Sequence, residues 1–84
     1  MNRDVIKDRV FALLAAHFSV GVDGLNGRTH LVHDLYADSM EMMDLVMVLN
    51  DCFEINILPD DLLDMKTLQD VVDVVNRLTS NPTL

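Results

Sequence analysis

The apolar residues near the N-terminus recur with the period of an α-helix. At about 100° per residue, one stripe of the segment 4–18 contains Ile6, Val10, Leu13 and Leu14. The charged residues of the same segment that lie away from this stripe are Asp4, Asp8 and Arg9. The pattern therefore predicts an amphipathic helix over residues 4–18 that buries the stripe in a core.

The helical period breaks between Ser19 and Ala37, a stretch that contains all three glycines of the chain. A loop of this length is uncommon in a small domain and usually serves a function. We expect the loop to be ordered and to be fixed to the core by the apolar side chains of Val22, Leu25, Leu31, Val32 and Leu35.

A second helix is predicted to begin at Asp38-Ser39 and to end at about Phe53. Asp38 is a favourable N-cap residue, because its side chain can accept from the free N–H groups of the first turn. Glu41 follows three residues later, which is the spacing of a capping box with aspartate in place of the commoner serine or threonine.

Two further helices are predicted in the C-terminal third. Residues 55–63 form a connector in which Pro59 opens a short helical turn with the sequence PDDLL. A last helix is predicted from near Thr67 to about Leu78, with Asp70 at its N3 position. Its inner face would consist of Leu68, Val71, Val72, Val75 and Leu78.

The segment VVDVV leaves a strand as the alternative for this last element, because β-branched residues are mildly unfavourable in helices. The spacing of its apolar residues and the capping signal favour the helix. A chain of 84 residues has room for one modest core. We therefore expect an all-α fold, a small bundle of three main helices and a short third one. It forms a single domain over residues 1–84, with a flexible tail at about residues 79–84.

Composition and charge exclude several functional classes. Fourteen acidic residues against six Lys and Arg give a formal charge of −8, which disfavours nucleic acid as a partner. No apolar run approaches the roughly 20 residues of a membrane span, and the N-terminal segment is too charged for a signal peptide. The single cysteine excludes an internal disulfide and fits a reducing compartment, so we expect a cytoplasmic protein.

The predicted second helix has two unlike faces. One face suffices for a core and contains Met42, Leu45, Val46, Leu49 and Phe53. The opposite face holds, within about 60° of one another, Met40, Asp44, Met47 and Asp51. Methionines among carboxylates suit a surface that docks several partners, and a helix with some exposed apolar residues is the simpler alternative. Residues 34–73 hold eleven acids and one base, so a basic partner surface would be steered to this region.

Ser39 lies directly after the predicted N-cap, at the junction of the loop and the second helix. Free N–H groups and the positive end of the helix dipole favour an attached anion there by roughly 0.3–1 kcal/mol. Nothing nearby in the sequence can activate the hydroxyl, so a separate enzyme would have to modify it. Taken alone, a serine after an aspartate cap is more often a helix-start residue without chemistry.

Other candidate residues are better explained without chemistry. His30 and His33, with Asp34 adjacent, could form part of a metal site, but ordinary loop residues are the favoured interpretation because a fourth ligand is missing. His17 is predicted as a partly buried residue or a partner for the helix C-terminus. Cys52 is predicted as a small packing residue at the edge of the core face.

The acidic residues Asp60, Asp61 and Asp64 do not match the spacing of a calcium loop and are predicted to form a solvated acidic turn. The sequence shows neither a nucleophile–base pair nor a glycine-rich phosphate cradle. We therefore do not expect an enzyme.

The stretch DLYADSMEMMDLVMVLNDCFEI, from Asp34 to Ile55, resembles the signature of acyl carrier proteins. Their pattern is Asp-Ser-Leu followed by a helix of alternating apolar and acidic residues that ends in Phe-Asp or Phe-Glu. Asp38, Ser39 and Met40 occupy the Asp-Ser-Leu positions, with methionine as a mild replacement for leucine. The likeness extends through the whole chain, since members of the family are four-helix bundles of about this length with a long first loop and a short third helix.

The resemblance implies that Ser39 receives 4′-phosphopantetheine through a phosphodiester, added from coenzyme A by a Mg-dependent phosphopantetheinyl transferase. The thiol of this arm would carry acyl groups as thioesters between acyl-transferring enzymes, and the protein would be monomeric. The positions that match docking residues for basic patches on those enzymes are Met40, Asp44, Met47, Val48 and Asp51. Leu49, Phe53 and the inner valines of the last helix match the lining that opens around an acyl chain.

Asn50 and Cys52 stand where many fatty-acid carriers have acids, which reduces the charge of the docking face. The segments THLVHDLYADS and FEINILPDDLLDM resemble carriers associated with bacterial type III secretion and invasion gene clusters. An acyl group would then serve modification of a secreted protein or a membrane component in place of bulk fatty-acid synthesis. The remaining alternative is an acidic adaptor or secretion chaperone that is never modified. It would bind a partner through the face of Met40, Asp44, Met47 and Asp51, the Met/Asp face.

Overall fold

Four α-helices and one short 3-10 turn make up the regular structure of the computed structural model, which describes residues 2–80. The helices are α1 (Arg3–Phe18), α2 (Ser39–Phe53), α3 (Pro59–Leu63) and α4 (Leu68–Ser80), and the 3-10 turn is Val22–Gly24. Within the described residues the β pairing is limited to one isolated antiparallel bridge between His30 and Thr67. The predicted all-α bundle with a short third helix is confirmed.

Side chains close in the sequence cap the N-termini of the main helices. The Oδ1 of Asn2 accepts from the backbone N–H of Val5 at 2.9 Å at the start of α1. At the start of α4, Thr67 and Asp70 form a reciprocal capping box, in which the Thr67 hydroxyl accepts from the Asp70 N–H at 3.2 Å and the Asp70 carboxylate accepts from the Thr67 N–H at 3.0 Å. The predicted start of α4 and the role of Asp70 are confirmed.

The predicted end of α4 was two residues short. The helix continues through Ser80, and the Thr79 hydroxyl donates to the Val75 carbonyl at 2.8 Å. Such a bond to the preceding turn is common for threonine within a helix. The predicted flexible tail at 79–84 therefore begins within a helix, and its residues 81–84 lie outside the described part of the chain.

The core lies between α1, α2 and α4, with α1 packed along α4 and α2 in contact with both. Its fully buried side chains come from all three helices and from the long loop, and include Ile6, Val10, Leu14, Leu31, Leu45, Leu49, Leu68, Val71, Val72 and Val75. The segment VVDVV is helical, so the strand alternative is wrong for it. Burial among neighbouring helices outweighs the small helix penalty of its valines, which is below about 1 kcal/mol per residue.

Backbone hydrogen bonds fix the long loop to the start of α4. The Leu31 N–H donates to the Lys66 carbonyl at 2.9 Å, and the Leu68 N–H donates to the Thr29 carbonyl at 3.0 Å. Leu31 is fully buried, and Leu25 and Leu35 are half-buried, as expected. The prediction that Val22 and Val32 also fix the loop to the core is wrong, since about half of each residue is exposed.

The predicted solvated acidic turn is wrong at Asp61, which is buried. One of its oxygens pairs with Arg77 Nη2 at 2.6 Å, and the other accepts from the Leu58 N–H at 2.9 Å, which caps α3. The hydrogen bond from Arg77 holds the pKa of Asp61 below its ordinary value of 3.8, with the Leu58 N–H acting in the same direction and burial opposing both.

Replacing Asp61 with asparagine is expected to lower the free energy of unfolding by about 1–2 kcal/mol, measured by urea denaturation at pH 7. Because the folded-state pKa is depressed, the contribution of Asp61 is present above pH 3.8 and is lost as the pH falls below that value. The deficit of the variant should therefore shrink at pH 3. Asp60→Asn, at an exposed neighbouring carboxylate, is the matched control and should change stability by less than about 0.5 kcal/mol. An equal loss in both variants would contradict the role of the Arg77 pair.

None of the helices within residues 2–80 combines the length and the apolar character needed to cross a membrane.

Candidate functional site

The junction between the long loop and α2 is built by Asp38. Its backbone is extended, and its Oδ1 accepts from the Glu41 N–H at 2.8 Å. The Asp38 carbonyl also accepts the first helical bond, from the Met42 N–H at 3.0 Å. The predicted N-cap and the predicted start of α2 are therefore confirmed, and Ser39 is the first residue of the helix.

The Ser39 side chain is exposed, and its hydroxyl makes no hydrogen bond to any other group of residues 2–80. The N–H groups of Ser39 and Met40 belong to the first helical turn and are not among the donors that Asp38 satisfies. These donors and the helix dipole favour a negatively charged group at this end of α2. A phosphodiester on the Ser39 oxygen fits this environment, since the hydroxyl is accessible and the adjacent donors are unused.

No basic side chain of the described residues holds the Ser39 hydroxyl in position for proton abstraction. A serine nucleophile is activated by an adjacent base within hydrogen-bond distance, and Ser39 has none in this part of the chain. The arrangement therefore matches a hydroxyl that an external enzyme modifies.

The face of α2 that follows Ser39 along the helix is exposed, as the angular spacing of its residues predicted. Met40 is 72% exposed and Met47 is 65% exposed, and both Asp44 and Asp51 are exposed. Val48, the fifth predicted docking residue, is half-buried. The structure thus brings four of the five together on an open surface, and their docking role stays a prediction.

Met43 is an exposed residue of α2 that the sequence interpretation missed, with 65% of its surface accessible. It lies three residues after Met40 and four before Met47, which is the spacing that places side chains on one flank of a helix. This spacing is the signal that could have identified it.

An apolar groove runs between α2 and α3 beside this surface. It has a volume of about 360 Å³ and is lined by Met43, Val46, Met47, Ile57, Leu58, Pro59 and Leu62. The acyl-chain lining expected from the resemblance consisted of Leu49, Phe53 and the inner valines, and these residues lie in the closed core. The groove that is open is therefore outside that core and separate from the predicted lining.

A family model described as the phosphopantetheine attachment site matches residues 8–75. The chain belongs to this family of acyl carrier proteins. An acyl carrier protein of Thermosynechococcus vestitus is 33% identical over 77 residues, which cover 92% of this chain and 95% of the relative. An acyl carrier protein of Campylobacter jejuni subsp. doylei is 31% identical over 71 residues, which cover 84% of this chain and 92% of the relative.

A solved structure with a similar fold is the apo doublet acyl carrier protein from prodigiosin biosynthesis, determined in solution. The TM-score is 0.73 at 26% identity over 88% of this chain, and the match spans 36% of the doublet. Members of the family are carriers and not enzymes, and their cofactor is covalently bound 4′-phosphopantetheine. They interact with phosphopantetheinyl transferases and acyl-transferring enzymes.

Asn50 of this acyl carrier protein does not belong to the docking face. It is half-buried, and its Oδ1 accepts from the Ile57 N–H at 2.9 Å, which fixes the connector between α2 and α3. Many fatty-acid carriers have an acid at this position, and the asparagine was expected to reduce the charge of the docking face. The asparagine serves the connector, so it says little about the charge offered to partners.

Cys52 is exposed, and its predicted role as a packing residue is wrong. Phe53 fills the adjacent core position, and the guanidinium of Arg9 lies 4.9 Å from the centre of its ring. Arg9 also donates from Nη2 to the Cys52 carbonyl at 3.3 Å. Arg9 of α1 therefore covers the C-terminal end of the core face of α2, near Cys52.

The loop histidines of this carrier have structural contacts. His30 Nδ1 accepts from the N–H groups of Val32 and His33 at 3.1 and 3.0 Å, and the Asp34 carboxylate accepts from the His30 N–H at 2.7 Å. The described residues hold no group of three or more ligands that could bind a metal ion. His17 is half-buried and packs edge-on against Phe18, with ring centroids 5.0 Å apart.

Proposed function

We propose that this acyl carrier protein carries its 4′-phosphopantetheine on Ser39 and shuttles acyl groups between enzymes. The observation that supports the attachment point is the exposed, unbonded hydroxyl of Ser39 at a helix start whose first N–H groups are unused. In the loading step the Ser39 oxygen forms a P–O bond to the phosphate that bears pantetheine in coenzyme A. The P–O bond to 3′,5′-ADP breaks, this nucleotide leaves, and the hydroxyl proton passes to a base on the transferase. The terminal thiol of the bound arm supplies thioester chemistry.

The exposed face of α2 is proposed as the surface that partner enzymes contact. Met40 and Met47 would pack against apolar side chains of the partner, and Asp44 and Asp51 would pair with its lysines and arginines. This proposal rests on exposure and on charge, because residues 34–73 contain eleven acids and Lys66 as the sole Lys or Arg. Val48, half-buried beside this face, would contribute only its edge.

The groove between α2 and α3 is proposed to receive the acyl chain. Met43, which lines it, lies four residues after Ser39, about 6 Å along the helix axis. The volume of the groove, about 360 Å³, is near the lower end of the range of volumes of ligand pockets. A short chain would be held in the groove as it stands, and a longer chain would need the interior around Leu49 to open.

The proposed function includes a specialised pathway and a cytoplasmic location. The resemblance of the segments around Asp34 and Pro59 to secretion-associated carriers supports a specialised acylation pathway over bulk fatty-acid synthesis. A cytoplasmic location is supported by the need to keep the arm thiol reduced. An unmodified acidic adaptor is the second candidate, and it is favoured only by the Met/Asp face, which both functions would use.

Intact-mass spectrometry of the protein isolated from its native host tests the proposal. The expected result is the mass of the chain plus one phosphopantetheinyl group, with the attached acyl group identifying the pathway. Incubation of the purified apo-protein with coenzyme A, Mg²⁺ and a broad-specificity phosphopantetheinyl transferase is expected to give the same increase, located on Ser39 by peptide fragmentation. A chain that stays unmodified in the host and with several transferases would contradict the carrier function and leave the adaptor as the remaining candidate.

A further inference from the structure

Tyr36 has a left-handed backbone conformation that is unfavourable for its residue type. Its φ is 58°, and its side chain is 81% exposed. Within residues 2–80, the other two non-glycine residues with positive φ, Ser19 and Glu54, are the C-cap residues of α1 and α2. Left-handed conformations cost bulky residues free energy that glycine or asparagine largely avoids.

The turn requires this conformation whatever the side chain. The Tyr36 N–H donates to the Val32 carbonyl and the Ala37 N–H donates to the Leu31 carbonyl, both at 3.0 Å. The bond from Tyr36 to Val32 spans four residues, as in the αL motif at helix ends, whose left-handed position is usually glycine. It directs Ala37, only 4% exposed, into the core. The tyrosine ring contributes little burial in return, so packing does not explain its presence at a position suited to glycine.

Tyr36 also lies close to the modification point. It lies three positions before Ser39 in the chain, so their Cα atoms are at most about 11 Å apart. A protein interface of standard size buries about 800 Å² on each partner, equivalent to a disc of roughly 16 Å radius. A partner centred on the Ser39 hydroxyl would therefore cover Tyr36. Strained residues that persist without a packing reason are concentrated at functional sites.

The charges around the ring specify the kind of contact. Asp34, Asp38 and Glu41 surround Tyr36 in the sequence, and residues 34–41 contain no Lys or Arg. The carboxylates of Asp34 and Asp38 each accept a backbone N–H, which holds them in place. An exposed aromatic ring with fixed carboxylates two residues before and two residues after it in the sequence suits an arginine of the partner, which can stack on the ring and pair with an acid at the same time.

We propose that Tyr36 is a recognition residue for the phosphopantetheinyl transferase, and that its ring contacts an arginine of that enzyme during modification of Ser39. The inference rests on the proposed function. Among the partners, the transferase is the one that must reach the Ser39 oxygen itself. Acyl-transferring enzymes act on a thiol at the far end of an extended arm and can bind farther from the loop.

The test compares three variants as apo-proteins in steady-state modification with coenzyme A and a broad-specificity transferase. Tyr36→Asn and Tyr36→Gly remove the ring and suit the left-handed conformation, so their Tm is expected to be unchanged or higher. Both are expected to lower kcat/KM about fivefold, mainly through KM. Tyr36→Phe keeps the ring and is expected to remain within about twofold of the wild type.

Each remaining outcome decides a separate point. Wild-type rates for Tyr36→Asn and Tyr36→Gly, with the wild type itself modified, would overturn the inference and leave the proposed function standing. A fivefold loss in Tyr36→Phe would overturn the contact through the ring and assign recognition to the hydroxyl. A wild-type chain that no transferase modifies would overturn the proposed function itself.

Discussion

Replacing Ser39 with alanine is expected to abolish attachment of the arm. The variant should show no phosphopantetheinyl mass increase after incubation with coenzyme A, Mg²⁺ and a transferase that fully modifies the wild type. The reason is that the Ser39 oxygen is the atom that would bond to phosphorus, and alanine has none. Stability should not fall, because the hydroxyl makes no hydrogen bond within residues 2–80 and alanine has the highest helix propensity.

Ser19→Gly provides the matched control. Ser19 is another exposed serine, and glycine suits its left-handed conformation at the end of α1. This variant should be modified at the wild-type rate. An arm that still attaches to Ser39→Ala would show that the attachment point lies elsewhere in the chain.

Replacing Asp44 with lysine is expected to reduce kcat/KM for the transferase by roughly tenfold, equivalent to about 1.4 kcal/mol. Asp44 is exposed about 7.5 Å along the axis of α2 from Ser39, on the face proposed for basic partners. Reversal of its charge would replace an attraction with a repulsion. The loss should diminish at high salt, because exposed charges are screened.

Asp23→Lys separates docking from net charge. It introduces the same change in charge at an exposed acid of the 3-10 turn, outside α2. It should retain most of the wild-type activity. Equal losses in both variants would indicate a general effect of net charge, and loss of helicity in Asp44→Lys, measured by circular dichroism, would mean that its side chain is structural.

The features that could be predicted from the sequence are those whose interactions are local. Asp38 with Glu41, and Thr67 with Asp70, are three residues apart, so the spacing alone places donor and acceptor together. Leu45 and similar core residues follow from helical periodicity in the same way.

Two of the errors concern residues whose partners are distant in the sequence. Asp61 was expected in solvent because its partner Arg77 lies 16 residues away on another helix. Asn50 was taken as a residue of the docking face, whereas its partner Ile57 lies seven residues away across the end of α2. Helical periodicity describes faces of one element, and it contains no information about what a neighbouring element supplies.

The candidate site divides in the same way. The helix start at Ser39 was predicted from the residues, but its chemistry was expected only from the resemblance, since a serine after a cap is common. The conformation of Tyr36 could not be predicted, because it depends on bonds from its turn back to Leu31 and Val32. The long loop was expected to have a function on length alone, and the structure adds which of its residues is strained.

The hydrogen bonds between the long loop and the start of α4 have a mechanical consequence. Through Leu31 and Thr29 they join the segment that leads to Ser39, the proposed attachment point, to a helix of the core. For an arm on Ser39, the range of positions open to its thiol would then be set by rotations within the arm itself. A partner enzyme that binds α2 would therefore also fix the point from which this arm starts, and only the arm itself would have to reach the catalytic pocket.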